Sequence, residues 1–360
     1  MKNKVKKSAT LLLSLLFVFV FNGCELFKKN NSTGQKIYKI GFAMATLKEE
    51  RWRRDRDYIS ERMKELHAEV LIQNANNDHE QQMRQVEYLL SQKIDVLILV
   101  PHDLEAAAYA VQMAKRAGVK VISYDRLIRN ANLDLYISFD NIKVGEYMTE
   151  YLVDRSPQGR YVIINGAPTD NNCYMFNQGY KNVLDNYILN RQIEIVFEGW
   201  AEDWRPEQAY QYIQTLLAQG KKFDAVIAAN DALASAVIEA LSEWRLAGTV
   251  LVAGHDADLS GCQRIVERTQ LLTVYKPIRQ LAYRAADLAL TLAEGKEVKT
   301  NYEPIFNGKH FIPSEIINPI PIDKDNMDII IKDQFHRMED IYLNIPKDKW
   351  PKENGRNGDK

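Results

Sequence analysis

The amino-acid sequence predicts an α/β protein with two doubly wound lobes, each a mostly parallel sheet covered by helices on both faces. Its length of 360 residues is typical of two domains. Short β-branched runs alternate with longer amphipathic stretches from Tyr38 onward, and the same rhythm restarts near Arg160. Lysine plus arginine number 47 against 48 for aspartate plus glutamate, which argues against a nucleic-acid-binding protein.

The elements follow in order along the chain. In the first lobe, strands are predicted at 37–42, 69–73, 95–100, 119–123 and 133–138, with helices at 51–66 and 79–90. In the second lobe, strands are predicted at 160–164, 193–197, 225–228, 250–253 and 272–274, with helical spacing between them. Strands that alternate with helices in this way form parallel sheets through right-handed crossovers.

Residues 1–23 predict a lipoprotein signal peptide. Four lysines precede an apolar run at 9–21, which is shorter than the roughly 20 residues of a membrane-spanning helix. The run ends in F-N-G-C, which resembles a bacterial lipobox, although Phe21 replaces the usual leucine. We predict lipidation at Cys24, a tether at 24–35 and an extracytoplasmic, membrane-anchored protein; an ordinary secreted protein cleaved nearby is the alternative.

The two other cysteines, Cys173 and Cys262, each lie near the start of a predicted helix beside apolar residues. We predict two free, partly buried thiols. A disulfide between them is the alternative, because an extracytoplasmic compartment permits it.

Polar and aromatic side chains follow the predicted strands, at the sheet edge where ligands of open parallel sheets bind. They are Arg51, Trp52, Asp125, Arg126, Asp140, Asn141, the run 170–172, Trp200, Trp204, Asn230, Asp231, His255, Asp256 and Lys276. Carboxylates accept hydrogen bonds from hydroxyl groups, arginine and lysine donate, and asparagine does both. Tryptophan covers an apolar C–H face. The set therefore suits a small polyhydroxylated molecule such as a sugar.

The sequence lacks the common signatures of catalysis. It contains no G-x-G-x-x-G, G-x-x-x-x-G-K-[ST] or H-E-x-x-H motif and no visible pairing of a nucleophile with a base. We therefore predict no catalytic residues, no cofactor and no metal. A glycoside-processing enzyme that uses Asp125 and Asp256 as its acid and nucleophile is the alternative from another class.

Other polar residues have simpler predicted roles. Asp231 and Asp258 are predicted as helix caps, which commonly follow strands. The charged run 53–57 is predicted as the solvated face of a helix. His255 is predicted to be structural, and Trp200 fits either the core or the site.

The sequence resembles the D-xylose-binding proteins of ABC-type sugar importers, within the type I periplasmic sugar-binding superfamily. The resemblance covers residues 38–336 and is carried by eight segments in order: E-R-W-R-R-D-R-D from Glu50, S-Y-D-R from Ser123, Y-I-S-F-D-N from Tyr136, P-T-D-N-N from Pro168, W-A-E-D-W-R-P-E from Trp200, A-N-D-A from Ala229, G-H-D-A-D from Gly254 and T-V-Y-K-P-I from Thr273. It implies these ligand-binding positions: Arg51, Trp52, Asp125, Arg126, Asn172, Trp204, Asn230, Asp256 and Lys276. His255 stands where the family usually has glutamine.

The resemblance also implies a three-stranded hinge, with chain crossings near Ile142, Pro277 and Pro313. The first lobe would then comprise 36–141 plus 277–311, and the second 142–276 plus 312–335. Residues 336–360 extend past the family's usual end, and we predict a mobile tail there, with a docked segment as the alternative.

The function that the sequence predicts is that of a solute-binding lipoprotein. It would capture D-xylose or a similar aldopyranose by hinge closure and deliver it to the membrane permease of an ABC importer. A sugar sensor of the same fold, signalling to a membrane kinase or chemoreceptor, is the alternative. No nucleic-acid partner is expected.

Overall fold

Two mostly parallel sheets organise residues 36–351, which are the residues that this computed structural model describes. The first sheet contains β1 (Lys39–Met44), β2 (Glu69–Asn74), β3 (Val96–Leu99), β4 (Lys120–Tyr124), β5 (Leu135–Phe139), β11 (Tyr302–Phe306) and β12 (Phe311–Ile317). The second contains β6 (Gly159–Asn165), β7 (Ile193–Trp200), β8 (Ala225–Ala228), β9 (Leu251–His255), β10 (Leu272–Tyr275) and β13 (Ile320–Ile322). The predicted signal peptide, the lipidation site at Cys24 and the tether lie outside the described residues.

The strand order is β11-β12-β5-β4-β3-β1-β2 in the first sheet and β13-β10-β9-β8-β6-β7 in the second. Only β11 and β13, each at a sheet edge of the described chain, pair antiparallel with their neighbours. The predicted α/β fold with two parallel-sheet lobes is confirmed.

Helices cover the faces of both sheets. In the first lobe they are α1 (Glu50–Glu65), α2 (His79–Ser91), α3 (Ala107–Arg116) and α9 (Ile278–Ala293). In the second lobe they are α4 (Asn141–Arg155), α5 (Asn171–Leu189), α6 (Pro206–Ala218), α7 (Asp231–Glu243), α8 (Leu259–Val266), α10 (Asp328–Lys332) and α11 (Met338–Ile341). Short 3₁₀ turns lie at Glu202–Trp204 and Lys347–Lys349.

The central strands are buried on both faces because helices lie on both sides of each sheet. Along β3, Val96 and Ile98 join the apolar cluster on one face of the first sheet, while Leu97 and Leu99 join the cluster on the other. A strand with two buried faces has a continuous apolar sequence, which is why such strands were predictable.

Three strands that the sequence pattern did not predict each contain a proline. Pro304 lies in β11, Pro313 in β12 and Pro321 in β13. Proline cannot donate a hydrogen bond to a neighbouring strand, so it is usually confined to sheet edges and irregular pairings. β11 and β13 are edge strands, and the β11–β12 pairing shifts register between Tyr302 and Ile305.

The chain passes between the lobes at three places. It leaves β5 at Phe139 for α4, leaves β10 at Tyr275 for α9, and leaves β12 at Ile317 for β13. The third crossing predicted near Pro313 is wrong, because β12 stays paired with β5 of the first sheet through Ile317.

The segment predicted as a mobile tail, 336–360, is docked on the second lobe as far as the structure describes it. Ile341 and Tyr342 are buried in an apolar cluster of that lobe. The Gln263 Nε2 group donates a hydrogen bond of 2.8 Å to the backbone oxygen of Asp340. Apolar side chains at helical spacing explain the docking, and the prediction of mobility is wrong for residues up to 351.

The two cysteines of the described part, Cys173 and Cys262, are both free and buried. The prediction of two free thiols is confirmed. No helix within residues 36–351 combines the length and apolarity that a membrane span requires.

Candidate functional site

The residues implied as ligand contacts converge on one cleft between the lobes, at the carboxyl ends of the parallel strands. A cavity there, with about 320 Å³ of empty space including its open mouth, is lined by Glu49, Arg51, Trp52, Asp125, Arg126, Asp170, Asn172, Phe176, Trp204, Asn230, His255, Asp256 and Lys276. This set includes all nine positions that the resemblance implies. The other strand-end residues Asp140, Asn141, Asn171, Trp200 and Asp231 do not line the cavity.

Arg51, in the first turn of α1, is the charged centre of the cleft. Its Nη2 atom donates to Asp125 Oδ2 at 2.6 Å and to Asp55 Oδ2 at 3.4 Å. Its Nη1 atom lies 3.8 Å from Asp256 Oδ1, which belongs to the other lobe. Burial alone would lower the pKa of Arg51, but these three carboxylates raise it well above its usual value.

Asp55 corrects the prediction that the charged run 53–57 is a solvated helix face. Its side chain is fully buried, accepts from Arg51 one turn earlier and accepts a short hydrogen bond from the Tyr124 hydroxyl. Burial raises its pKa to about 7 against the opposing effects of Arg51 and Tyr124. The ion pair that Asp55 forms with Arg51 at i,i+4 spacing is buried.

Trp52 lies beneath two guanidinium groups. The Arg51 Cζ atom is 4.2 Å from the centre of its ring, and the Arg126 Cζ atom is 5.2 Å away. Cations above an aromatic face are stabilised by the ring quadrupole, so Trp52 helps to fix both arginines at the cavity wall.

Asp125 and Arg126 follow β4 and contact the second lobe directly. The Asn172 Nδ2 group donates to Asp125 Oδ1 at 2.9 Å, and Arg126 Nε lies 2.6 Å from Asp170 Oδ2. Asp125 has a φ of 64°, in the left-handed region that few side chains adopt. These contacts mean that the structure has the two lobes closed on each other.

The start of α5 supplies three cavity residues from the second lobe. Asp170 caps the helix by accepting from the Asn172 backbone N–H at 2.9 Å. Phe176 lies one helical turn after Asn172, and its ring centre is 5.0 Å from Lys276 Nζ. The Asn172 Oδ1 atom is buried without a hydrogen-bond partner in the protein.

Asn230, and not Asp231, caps α7. Its Oδ1 atom accepts from the Leu233 backbone N–H at 2.8 Å, which leaves its amide N–H groups for the cavity it lines. Asp231 is fully buried one position later. The prediction that Asp231 caps this helix is therefore wrong, because the preceding residue, Asn230, is the cap.

Asp231 holds the loop after β9 in place. Its Oδ2 atom accepts from Thr273 Oγ1 at 2.7 Å and from the Asp258 backbone N–H at 3.0 Å, and its Oδ1 atom accepts from Gln270 Nε2 at 2.7 Å. Burial raises its pKa to about 7 despite those hydrogen bonds.

Asp258 occupies the N-cap position of α8, but its side chain makes no capping hydrogen bond. Burial and the neighbouring carboxylates of Asp231 and Asp256 raise its pKa well above the usual value. The predicted cap is wrong, because the Asp258 carboxylate accepts no hydrogen bond from the first turn of α8 and lies among other acids.

One carboxylate oxygen of Asp256 has three cationic or polar side chains near it. Lys276 Nζ and His255 Nδ1 each lie 3.1 Å from its Oδ1 atom, and Arg51 approaches from the first lobe. Burial alone would raise the pKa of Asp256, but Lys276, His255 and Arg51 hold it well below its usual value. The site thus keeps a buried carboxylate ionised.

Trp204 covers another wall of the cavity. Its ring lies so close to Gly166 that a Cβ atom there would be 2.4 Å from the ring. Its ring also meets that of His255 at a steep angle of 77°, with ring centres 6.5 Å apart. Trp200, by contrast, packs on Tyr174 with ring centres 5.1 Å apart.

The nine positions implied by the resemblance leave out Glu49, Asp170, Phe176 and His255, although the strand-end set includes Asp170 and His255. Asp170 follows β6 and Phe176 lies at i+4 from Asn172, so strand-end position and helical spacing were available signals. His255 is in the last position of β9 and was predicted to be structural. Glu49 has no comparable signal. Within residues 36–351, no cluster of histidine, cysteine, aspartate and glutamate is placed to hold a metal ion.

Several known proteins are similar to this chain in sequence. The family model for the periplasmic binding protein domain matches residues 40–297. The D-xylose-binding periplasmic protein of Haemophilus influenzae is 40% identical over 341 residues, which cover 94% of this chain and 99% of that protein. The D-xylose-binding periplasmic protein of Escherichia coli is 42% identical over 88% of this chain and 96% of its own length.

A solved structure shows the same fold. An ABC transporter solute binding protein from Clostridium phytofermentans, with bound β-D-glucose, superposes with a TM-score of 0.78 at 26% identity. The match covers 84% of this chain and 99% of that chain.

Proposed function

Because the chain belongs to the periplasmic binding protein family, we propose that it captures D-xylose or a similar aldopyranose outside the cytoplasm and delivers it to an ABC importer. It is a binding protein and not an enzyme, as its family membership indicates. The observation that carries the proposal is the composition of the cleft, where ionised and amide groups from both lobes surround the cavity.

The cavity chemistry matches a monosaccharide. Asp256 and Asp125 accept from hydroxyl groups, Lys276 donates, and the Asn172 Oδ1 atom is buried without a protein partner. A buried polar atom costs about 1–3 kcal/mol when it is left unsatisfied. Several hydroxyl groups around one small ring would satisfy such atoms together.

The two aromatic walls favour a pentopyranose. Trp52 and Trp204, one from each lobe, both line the cavity and limit its depth. The exocyclic hydroxymethyl group of a hexose needs additional space, and a difference of this size is worth about 1–3 kcal/mol. We expect D-xylose to bind at least about tenfold more tightly than D-glucose.

Delivery follows from lobe closure. A ligand that contacts both lobes at once binds the closed state better than the open one and shifts the population toward it. The contacts Asn172–Asp125 and Arg126–Asp170 already join the lobes beside the cavity. The permease would then recognise the closed form. Recognition of the same form by a membrane sensor kinase is the alternative. Permease and ATPase genes next to the gene for this protein would favour import.

Calorimetric titration with D-xylose, D-ribose, L-arabinose, D-glucose and D-galactose tests the proposal. We expect one sugar per chain and the strongest binding for D-xylose. Binding of no monosaccharide would contradict the function, equal or stronger binding of a hexose would contradict the sugar assignment, and turnover of any sugar would contradict the binding role.

The proposed anchor is a lipid on Cys24, supported by the lysine-rich start and the apolar run before it. Expression of Cys24→Ser in cells fed a labelled fatty acid tests it. We expect label and membrane association to be lost, whereas a labelled, membrane-bound variant would contradict the anchor.

A further inference from the structure

His255 is part of the cavity wall, although it was predicted to be only structural. Its side chain is 2% exposed and lines the cavity together with Asp256 and Lys276. The ring of Phe176 lies 4.6 Å from the imidazole ring and that of Trp204 lies 6.5 Å away, centre to centre. Aromatic contacts therefore fix the ring, and its two nitrogens differ in their surroundings.

The Nδ1 atom of His255 faces a negative charge. It lies 3.1 Å from Asp256 Oδ1, an oxygen that Lys276 Nζ also approaches to 3.1 Å. A lone pair on Nδ1 would repel the carboxylate, so the proton of the neutral ring resides on Nδ1. Burial and Lys276 lower the pKa of His255 to about 4, which keeps the ring neutral at physiological pH. The Nε2 atom then carries a lone pair.

The Nε2 atom has no such neighbour. Both ring nitrogens are buried and make no hydrogen bond of normal geometry to the residues that the structure describes, but Nδ1 has the Asp256 carboxylate 3.1 Å away, whereas Nε2 has no such charged neighbour. Buried polar side-chain atoms in native proteins nearly always have a partner, and an unmade hydrogen bond of this kind weakens a complex about tenfold. Because His255 lines the cavity, a bound molecule can supply the missing donor.

We propose that the Nε2 atom of His255 accepts a hydrogen bond from one hydroxyl group of the bound monosaccharide, making His255 a residue that determines sugar specificity. This inference rests on the proposed function, since it assumes a sugar in the cleft. It assigns Asp256 two roles: to contact the sugar and to fix the tautomer of the neighbouring histidine. The Asp256 carboxylate would thereby keep the His255 proton on Nδ1, so that Nε2 is always a hydrogen-bond acceptor.

Three variants separate this role from a purely structural one. His255→Asn places an amide near the Nδ1 position and removes the Nε2 position. His255→Gln does the reverse, because its amide reaches the ε position. His255→Phe keeps the ring and its packing against Phe176 but has no nitrogen, and it supplies the same test as the Asn variant if that variant does not fold.

The measurement is calorimetric titration of the wild type and the variants with D-xylose and with its 2-, 3- and 4-deoxy analogues. For one hydroxyl position, we expect the wild type to lose about tenfold or more in affinity when that hydroxyl is missing. The Asn and Phe variants should bind D-xylose about tenfold more weakly and show almost no further loss for that same analogue. The Gln variant should restore the discrimination.

Two results would overturn the inference. If each analogue is penalised equally in the wild type and in the Asn and Phe variants, no hydroxyl depends on Nε2. If Asn restores discrimination and Gln does not, His255 acts only through Asp256. A wild-type protein that binds no D-xylose would contradict the proposed function itself, and the inference with it.

Discussion

Asp231 and Asp256 are both buried carboxylates of the second lobe, yet the pKa of Asp231 is raised above its usual value and that of Asp256 is lowered. Burial raises the pKa of Asp231 to about 7, because its hydrogen-bond donors are the neutral groups of Thr273, Gln270 and a backbone N–H. Burial would do the same at Asp256, but Lys276 and its other neighbours hold that pKa well below the usual value.

We infer that this difference separates a structural acid from the acid that we propose to bind the sugar. Asp231 receives hydrogen bonds on both oxygens from the protein, and they connect β10 to the loop before α8. Asp256 is held by charged groups at the cavity, including Arg51 of the opposite lobe. Burial alone does not distinguish the two acids, whereas the charge of their partners does.

Removal of Asp231 should give the largest loss of stability. Asp231→Ala leaves the Thr273 hydroxyl and the Asp258 backbone N–H without their acceptor, which should lower the free energy of unfolding by about 3 kcal/mol. Urea unfolding of the sugar-free protein measures this. An unchanged unfolding midpoint would contradict the structural role.

The matched change at the cavity should act on binding instead. Asp256→Asn keeps the shape but removes the charge, and we expect D-xylose affinity to fall by about tenfold to several hundredfold. The sugar-free melting temperature should change little, because Lys276 and Arg51 can return to water when the cleft opens. A variant that unfolds as readily as Asp231→Ala but binds normally would reverse the two assignments.

Acidification should destabilise the protein through His255. Its pKa is 6.5 in the unfolded chain but about 4 in the folded protein, so the unfolded state binds more protons between these values. From pH 7 to pH 5, the wild type should lose about 2 kcal/mol of unfolding free energy relative to His255→Gln. Parallel unfolding curves at the two pH values test this, and an equal pH dependence in both proteins would contradict a buried neutral imidazole.

Asp258 should give the smallest effect. A lost helix cap would cost about 1 kcal/mol, but the Asp258 side chain caps nothing and lies among acidic groups. We expect Asp258→Ala to leave the unfolding free energy unchanged or slightly higher at pH 7, with normal D-xylose affinity. A loss of about 1 kcal/mol in urea unfolding would restore the capping interpretation.

Much of this architecture was predictable because parallel strands with two buried faces have continuous apolar sequences. Residues after those strands could be assigned to one cleft, since the carboxyl ends of parallel strands meet at one edge. The strands that contain Pro304, Pro313 and Pro321 were not predicted, because proline is unusual within strands.

The remaining errors have a common cause. Asp55 looks like part of a surface charge run, and only the packing of Tyr124 against α1 shows that it is buried. Asn230 and Asp231 are adjacent, so the exchange of their roles depends on backbone geometry at the start of α7. Periodicity indicates which side of an element is apolar, but it does not show which polar group another element will cover.

A crystal structure of the protein with D-xylose at one equivalent tests the central claim most directly. We predict one pyranose ring in the cleft, with hydroxyl groups within hydrogen-bond distance of Asp256 in the second lobe and Asp125 or Arg126 in the first. A sugar bound elsewhere on the protein, or one that contacts a single lobe of an open cleft, would contradict the account.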